Sequence, residues 1–134
     1  MKRAIFVFGF LLAVCGAVAQ TPAAQEKHEG AHFAFETMEH NFGKIPHHTK
    51  EAQFRFEFTN DGTEPLVVTR TAVSCSCVKV SYDKKPVPPG GKGAVMVVYE
   101  VSKKEPGVFY KVIEVYSNTP EKRTNLVIRG NAIE

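Results

Sequence analysis

The chain has 134 residues, with 17 basic and 14 acidic side chains and a formal net charge of +3. This length suits one domain with a single hydrophobic core. The sequence contains neither a basic stripe nor a run of like charges, so we expect no nucleic-acid partner. Tryptophan is absent, and the Phe and Tyr residues fall within alternating runs, which favours a core over an aromatic binding platform.

The first 19 residues have the pattern of a secretory signal peptide. Two basic residues precede the apolar stretch AIFVFGFLLAV, and AVA gives a small-x-small cleavage pattern that ends at Ala19, before Gln20. The stretch is shorter than the roughly 20 apolar residues that span a membrane. We therefore expect export to the periplasm or cell surface, with cleavage between Ala19 and Gln20. Cleavage leaves 115 residues with 15 basic and 14 acidic side chains.

Cys15 offers an alternative to simple cleavage. The segment LAVC resembles a bacterial lipobox, in which the cysteine is lipidated and becomes the new N-terminus. Val14 occupies the position where that motif prefers Gly, Ala or Ser. A lipidated Cys15 makes the protein an outer-membrane lipoprotein, and only in that case do we expect a membrane tether.

Two regions follow the signal peptide. Residues 20–31, QTPAAQEKHEGA, are polar and contain Pro and Gly without a clean period, which is typical of a flexible leader. Residues 32–134 have a period of two, which is typical of β-strands. We therefore predict one domain over residues 32–134.

The segment AQFRFEFTN, residues 52–60, is the clearest strand. It places Phe54, Phe56 and Phe58 on one face and polar residues on the other, so we expect the three rings to face the core. The NDG sequence at 60–62 then predicts a turn of the kind that tolerates a positive φ.

Six further segments have the composition of strands: FGKI, PLVVTRTAV, VKVSY, AVMVVYEV, VFYKVIEVYS and TNLVIRGNA. Segments rich in Pro, Gly, Asn and Ser separate most of them. AVMVVYEV is apolar on both faces, which is typical of a central strand covered from both sides. About seven short strands predict an all-β, Ig-like β-sandwich, with a closed barrel as the alternative.

The order of these segments resembles a known family. NFGKI, FRFEFTNDGTEPLVV, SCSC, KKPVPPGGKGAVMVVYE, GVFYKVIEVYSN and LVIRGNA are similar, in order and spacing, to the secreted bacterial family called domain of unknown function 1573. The resemblance covers residues 36 to 132. It implies an Ig-like domain similar to ASH and major-sperm-protein domains and a location in the cell envelope, but no agreed activity. The usual Cys-Gly-Cys of the family is Cys75-Ser76-Cys77 here.

Cys75 and Cys77 lie two positions apart. In an extended strand such residues share a face but are separated by about two rises of 3.3 Å, whereas a disulfide needs Cβ atoms about 3.5 to 4.5 Å apart. A direct bridge therefore requires a bend at Ser76, and an oxidising compartment favours the bridge. Structural thiols near the core, a metal site and a redox pair are the alternatives.

A metal site at this pair needs further ligands. Two thiolates on one face suit a soft metal such as copper or zinc. His47 and His48, in the turn before the strand at 52–60, are the candidate additional ligands, and we expect at least one of them to be exposed. A lone Cys-x-Cys is a weak metal signal. We therefore expect no cofactor, with copper or zinc on Cys75, Cys77, His47 and His48 as the alternative.

The sequence shows no motif of an enzyme. It has no nucleophile elbow and no motif that pairs carboxylates, and PPGGKG lacks the spacing of a phosphate loop. We therefore expect a non-enzymatic, exported Ig-like module that binds another protein or an envelope component. The alternatives are a periplasmic metal-binding protein and a thiol–disulfide redox protein, the latter resting on the cysteine pair alone.

Overall fold

The computed structural model describes residues 27–134, which form a β-sandwich. Its strands are β1 Phe33–Phe35, β2 Glu39–Pro46, β3 Ala52–Asn60, β4 Val68–Val73, β5 Val78–Tyr82, β6 Lys92–Tyr99, β7 Gly107–Ser117 and β8 Arg123–Ile133. A 3-10 helix at Val101–Lys103 follows β6. Within residues 27–134, no helix has the length and apolar character needed to cross a membrane.

The strands form two sheets of four. One sheet has the order β1-β3-β6-β5 and is antiparallel throughout. The other has the order β2-β8-β7-β4, in which β2 runs parallel to β8 and the remaining pairs are antiparallel. Each sheet keeps two edge strands, so the fold is the predicted Ig-like sandwich and not the closed barrel.

The structure has eight strands where the sequence predicted about seven. The additional strand is β1, which pairs with the end of β3 through Phe33 and Asn60. Packed structure also begins before residue 32, because His28 forms a β-bridge with Gly62 and Ala31 is buried. Three residues are too few to show an alternating pattern, which is why β1 was missed.

The inward face of β3 carries much of the core. Phe56 and Phe58 are buried, whereas Phe54 is partly buried at the rim of the same cluster. Phe54 meets Phe56 edge-on, with ring centroids 4.8 Å apart, and stacks on His40 of β2. The predicted inward direction of all three rings is confirmed, and Phe54 is the least buried of them.

Strand β6 lies inside its sheet but is covered on one side only. Val95, Val97 and Tyr99 are buried in the core, while Met96 and Val98 on the outer side are half-buried. The prediction that both faces of this strand are covered is therefore wrong. Two layers bury only the faces that oppose each other, so the outer face of each sheet contacts solvent.

The turn after β3 is built on Asn60 and Gly62. The Asn60 side chain is fully buried. Its amide N–H groups donate to the carbonyls of Glu64 and Val87, at 2.7 and 2.9 Å. Its Oδ1 accepts from the backbone N–H groups of His32 and Gly62. No residue of the NDG turn has a positive φ. Gly62 is required for space instead, because a Cβ there would lie 1.9 Å from the carbonyl oxygen of Gly30.

Candidate functional site

Strand β7 presents apolar side chains to solvent. Its alternation directs Phe109 and Ile113 into the core and directs Val108 and Tyr110 outward, where they are 84% and 60% exposed. Val112 continues the outward row and is half-buried. Outward residues of an antiparallel sandwich are normally polar. An exposed apolar row on an inner strand of a sheet is therefore a candidate contact surface.

The neighbouring strand β8 extends this row. Val127 lies opposite Val112 in the antiparallel register, and Arg129 lies opposite Tyr110. Directly opposite residues share a face, with Cβ atoms about 4.5 to 5.5 Å apart. We call Val108, Tyr110, Val112, Val127 and Arg129 the outer β7–β8 face.

Ion pairs border the outer β7–β8 face. Arg129 pairs with Glu39 of β2, and Arg123 pairs with Glu114 at 3.1 Å. The Tyr116 hydroxyl donates to the same Glu114 carboxylate at 3.2 Å. Such exposed pairs contribute little to stability. They give the apolar row a polar border, as in protein–protein interfaces.

A shallow groove opens at the Val108 end of the face. Arg129, Lys44, Asn41 and Asn131 contribute to its lining. Guanidinium, ammonium and amide N–H groups are hydrogen-bond donors that suit carboxylate and carbonyl oxygens. The face therefore combines an apolar row with a region rich in donors.

The segment Cys75-Ser76-Cys77 forms a tight turn between β4 and β5. The backbone N–H of Val78 donates to the carbonyl of Cys75 at 3.2 Å, which places Ser76 within the turn. The two sulfur atoms are adjacent, and the Cα atoms lie 5.2 Å apart. The predicted bend at Ser76 is confirmed and needs no positive φ at that residue. The disulfide itself stays a prediction.

The inner side of this turn contacts the core. Cys77 is fully buried, and its carbonyl accepts from the backbone N–H of Glu100 at 2.7 Å. The Glu100 carboxylate pairs with Lys103 at 2.5 Å and with Lys79 at 2.9 Å. These two ammonium groups, Lys103 first, hold the pKa of Glu100 below its ordinary value. The same carboxylate raises the pKa of Lys79.

His47 and His48 follow the end of β2. Nε2 of His47 lies 2.5 Å from the carbonyl oxygen of Lys104, and the backbone N–H of His47 donates to the carbonyl of Ile133. His48 is exposed, which confirms that at least one imidazole of the pair faces solvent.

The structure does not bring the four predicted metal ligands together. Within residues 27–134, Cys75, Cys77, His47 and His48 do not form a group of three ligand atoms within 4.8 Å of one another. The reason is that His47 is held against the backbone of Lys104 and the cysteines lie in another loop. A different set meets that distance: His28, His32 and Asp61.

Three predicted residues lie outside the described part of the chain. Cleavage between Ala19 and Gln20 and lipidation of Cys15 both concern residues before 27. Both stay predictions.

The sequence patterns did not reveal the outer β7–β8 face. VFYKVIEVYS was correctly predicted as a strand, but its alternating aromatic residues indicated a core role. For Tyr110 that interpretation is wrong, because the ring is 60% exposed on the outer side of the sheet. The sequence did contain a signal. The odd-numbered and the even-numbered residues of this segment are both largely apolar, although only one of these two sets can face the core.

Solved structures share this fold at low sequence identity. A protein of unknown function from Porphyromonas gingivalis W83 aligns with a TM-score of 0.67 and 13% identity, over 84% of this chain and 51% of that one. The Vibrio cholerae VesB protease aligns with a TM-score of 0.59 and 16% identity, over 76% of this chain and 32% of that one. This chain thus spans about half the length of the first protein and about a third of the second.

A separate domain of similar size also aligns. The ASH/PapD-like domain of human CEP192 has a TM-score of 0.57 and 12% identity, over 92% of this chain and 98% of that one. At these identities the likeness concerns the fold alone. It agrees with the Ig-like sandwich expected from the sequence.

Sequence comparison gives the family. No curated protein matches the chain. Residues 33–132 match the family described as "Protein of unknown function (DUF1573)". Because the match covers most of the chain and the expected sandwich is present, the protein belongs to this family.

Proposed function

We propose that this protein is an exported, non-enzymatic Ig-like module that binds a partner protein through the outer β7–β8 face. The observation that carries the proposal is the exposed row of Val108 and Tyr110 on an inner strand. In the isolated chain these side chains have no role in the core. Their exposure to water is unfavourable, and a partner that covers them removes that unfavourable contact.

The composition of the face favours a protein partner. Tyr and Arg are enriched among the residues that dominate protein–protein binding energy, and here Tyr110 lies opposite Arg129. The apolar centre and the polar border repeat the arrangement of such interfaces. The donors of Lys44, Asn41 and Asn131 favour a partner surface on which carboxylate groups flank apolar side chains.

The non-enzymatic part of the proposal is supported by the partners of two imidazoles. The His32 ring hydrogen-bonds to Asp61, and the His47 ring lies against a backbone carbonyl. Neither ring is bonded to a hydroxyl or thiol nucleophile, which is the arrangement that activates nucleophilic catalysis.

Export is supported by the N-terminal pattern that ends at Ala19. An oxidising compartment also suits the adjacent sulfur atoms of Cys75 and Cys77. The intact mass of the protein isolated from the cell envelope tests this part. A chain that starts at Gln20 supports it, and a lipid-bearing chain that starts at Cys15 replaces it with a tethered protein.

Site-specific photo-crosslinking in cells that naturally produce the protein tests the binding function. A photoreactive phenylalanine analogue replaces Tyr110 in one variant and Glu57 in the control. Glu57 is exposed on the outer side of the other sheet and is about as accessible. We expect a discrete adduct with another protein at position 110 and no such adduct at position 57.

A second pair of variants separates binding from folding. In the chain that carries the photoreactive residue at position 110, Val108→Lys should abolish the adduct, because it places a charge in the apolar row. The variant should still fold, since the Val108 side chain is already 84% exposed and has little part in the fold. Lys92→Glu, on the other sheet, should leave it unchanged. No adduct at position 110, equal adducts at both positions, or an adduct only between two copies of this chain contradicts the proposal.

A further inference from the structure

Three side chains with metal-binding atoms meet between the start of β1 and the turn after β3. Nδ1 of His32 lies 2.5 Å from one oxygen of the Asp61 carboxylate, and Nε2 of His28 lies 3.7 Å from the other. The two imidazoles stack, with ring centroids 3.8 Å apart. Both rings therefore converge on one carboxylate, although His28 and Asp61 are far apart in sequence.

Backbone contacts position this cluster without help from the imidazoles. The N–H of His28 donates to the carbonyl of Asp61 at 3.2 Å, and the N–H of His32 donates to Oδ1 of the buried Asn60. Between them, the carbonyl of Gly30 accepts from the N–H of Thr63 at 2.7 Å. The ligand-bearing backbone is thus preorganised, which lowers the ordering cost of binding a ligand.

We propose that His28, His32 and Asp61 bind one divalent transition-metal ion, with Zn²⁺ as the best fit. Two imidazoles and one carboxylate are a known ligand type for such ions, and three protein ligands leave a position for water. The ion fastens the segment before β1 to the turn after β3. This site lies apart from the outer β7–β8 face and does not depend on the binding function proposed above.

The ligand atoms already lie at separations close to those of a metal site, although the rings must reorient. With bonds of 2.0 to 2.2 Å, the ligand atoms of a tetrahedral zinc site lie about 3.3 Å apart. The observed separations, 2.5 Å from Nδ1 of His32 to Oδ1 of Asp61 and 3.7 Å from Nε2 of His28 to Oδ2 of the same carboxylate, lie on either side of that value. Because metal bonds lie in the imidazole plane, the two rings must also splay out of their stack. His28, whose side chain is 55% exposed, has the freedom to make this movement.

The surroundings keep the site accessible. Side-chain exposure is 27% for His32 and 38% for Asp61, so both ligands are partly sheltered but reachable. An open groove lined by Asp61, Asn60 and Gly90 lies beside the cluster and offers an entry path. Imidazole ligands favour zinc, copper or nickel over the oxygen-binding ions Mg²⁺ and Ca²⁺.

Zinc titration of the purified, tag-free and oxidised protein by calorimetry tests the proposal. We expect one Zn²⁺ per chain. His28→Gln and His32→Gln should each weaken binding by more than about tenfold, because each removes a ligand. Even the loss of a residue that only hydrogen-bonds to a ligand has an effect of that size. His48→Gln is the matched control, since it removes an exposed imidazole outside the cluster and should bind as the unaltered protein does.

Two further variants test the carboxylate and the cysteine pair. Asp61→Asn should weaken zinc binding, with folding checked by circular dichroism; if it does not fold, the two histidine variants decide. Cys75→Ser with Cys77→Ser should keep the site, whereas a cysteine-based site would lose its zinc. The proposal is overturned if the unaltered protein takes up no zinc, or if His28→Gln and His32→Gln bind as tightly as His48→Gln.

Amide hydrogen exchange tests whether the ion holds the segment before β1 against the turn after β3. Zn²⁺ should slow amide exchange at residues 28–32 in the unaltered protein and in His48→Gln, but not in His32→Gln. It should also raise the thermal unfolding midpoint, because a ligand bound only by the folded state stabilises it. Zinc binding without slower exchange at residues 28–32 would contradict the fastening role.

Discussion

The imidazole of His40 stacks on the ring of Phe54, with ring centroids 3.7 Å apart and an angle of 9° between the planes. The ring of Phe42 meets the same imidazole edge-on at 4.6 Å. Since His40 lies on β2 and Phe54 on β3, this stack joins the two sheets at the rim of the core. Burial lowers the pKa of His40, so the folded protein favours the neutral ring.

The stability of the sandwich should therefore fall on acidification through this histidine. A lowered pKa means that the unfolded chain binds the proton more readily, beginning near its ordinary value of about 6.5. The contribution of the neutral His40 ring to the free energy of unfolding is fully present above that pH and is lost as the pH falls below it. Thermal unfolding between pH 5 and pH 8 measures the loss. We expect His40→Phe to reduce the pH dependence and His48→Gln, an exposed control, to leave it unchanged.

Substitutions along β3 should distinguish the inward face from the outward one. Phe56→Ala should cost about 3 to 5 kcal/mol, because the ring is fully buried. Phe54→Ala should cost less, since its ring is partly exposed at the rim. Glu57→Ala should change the free energy of unfolding by less than about 0.5 kcal/mol, because its ion pair with Arg55 is exposed. Denaturant unfolding measures all three, and equal losses at positions 56 and 57 would refute the assigned faces.

Strand β3 also shows how much of the fold the sequence predicts. Its predicted bounds, residues 52–60, match the structure, because a long alternation of Phe with polar residues fixes both the element and its inward face. The resemblance of the segments to a known family added the Ig-like arrangement. The parallel pairing of β2 with β8 has no local signal, because it joins segments from opposite ends of the domain.

The candidate sites were harder to predict than the fold. Both alternating sets of β7 are largely apolar, so periodicity alone could not show that Tyr110 faces solvent. The imidazole of His32 and the carboxylate of Asp61 are 29 residues apart in sequence and match no motif. They meet only because β1 pairs with the end of β3, a contact set by the tertiary fold.

Replacing Gly62 should loosen the segment before β1. In Gly62→Ala the new Cβ would lie 1.9 Å from the carbonyl oxygen of Gly30 and 2.8 Å from the backbone nitrogen of His32, so the two segments must move apart. We expect a loss of about 1 to 3 kcal/mol, the usual range for overpacking, measured by denaturant unfolding.

Gly43→Ala is the comparison for that variant. Gly43 has a φ of +68° but has nothing within 4 Å of an added Cβ, so its substitution tests backbone strain without a clash. Amide exchange at residues 28–32 should accelerate in Gly62→Ala and not in Gly43→Ala. Unchanged exchange in both variants would mean that the contact with Gly30 does not hold this segment in place.

The cysteine turn gives the last prediction. In the exported protein that we propose, the adjacent Cys75 and Cys77 would meet an oxidising compartment, so we expect a disulfide in protein isolated from the envelope. The ring that it closes is very small, so it removes little entropy from the unfolded chain, and Cys75→Ser with Cys77→Ser should stay folded and lose about 1 to 3 kcal/mol. Part of that loss reflects the hydroxyl buried at position 77, which is fully enclosed. Thiol counting in denaturant shows whether the disulfide is present. No free thiol from these two residues before reduction and two after it support the disulfide. Two free thiols before reduction mean that the pair is held as buried thiols.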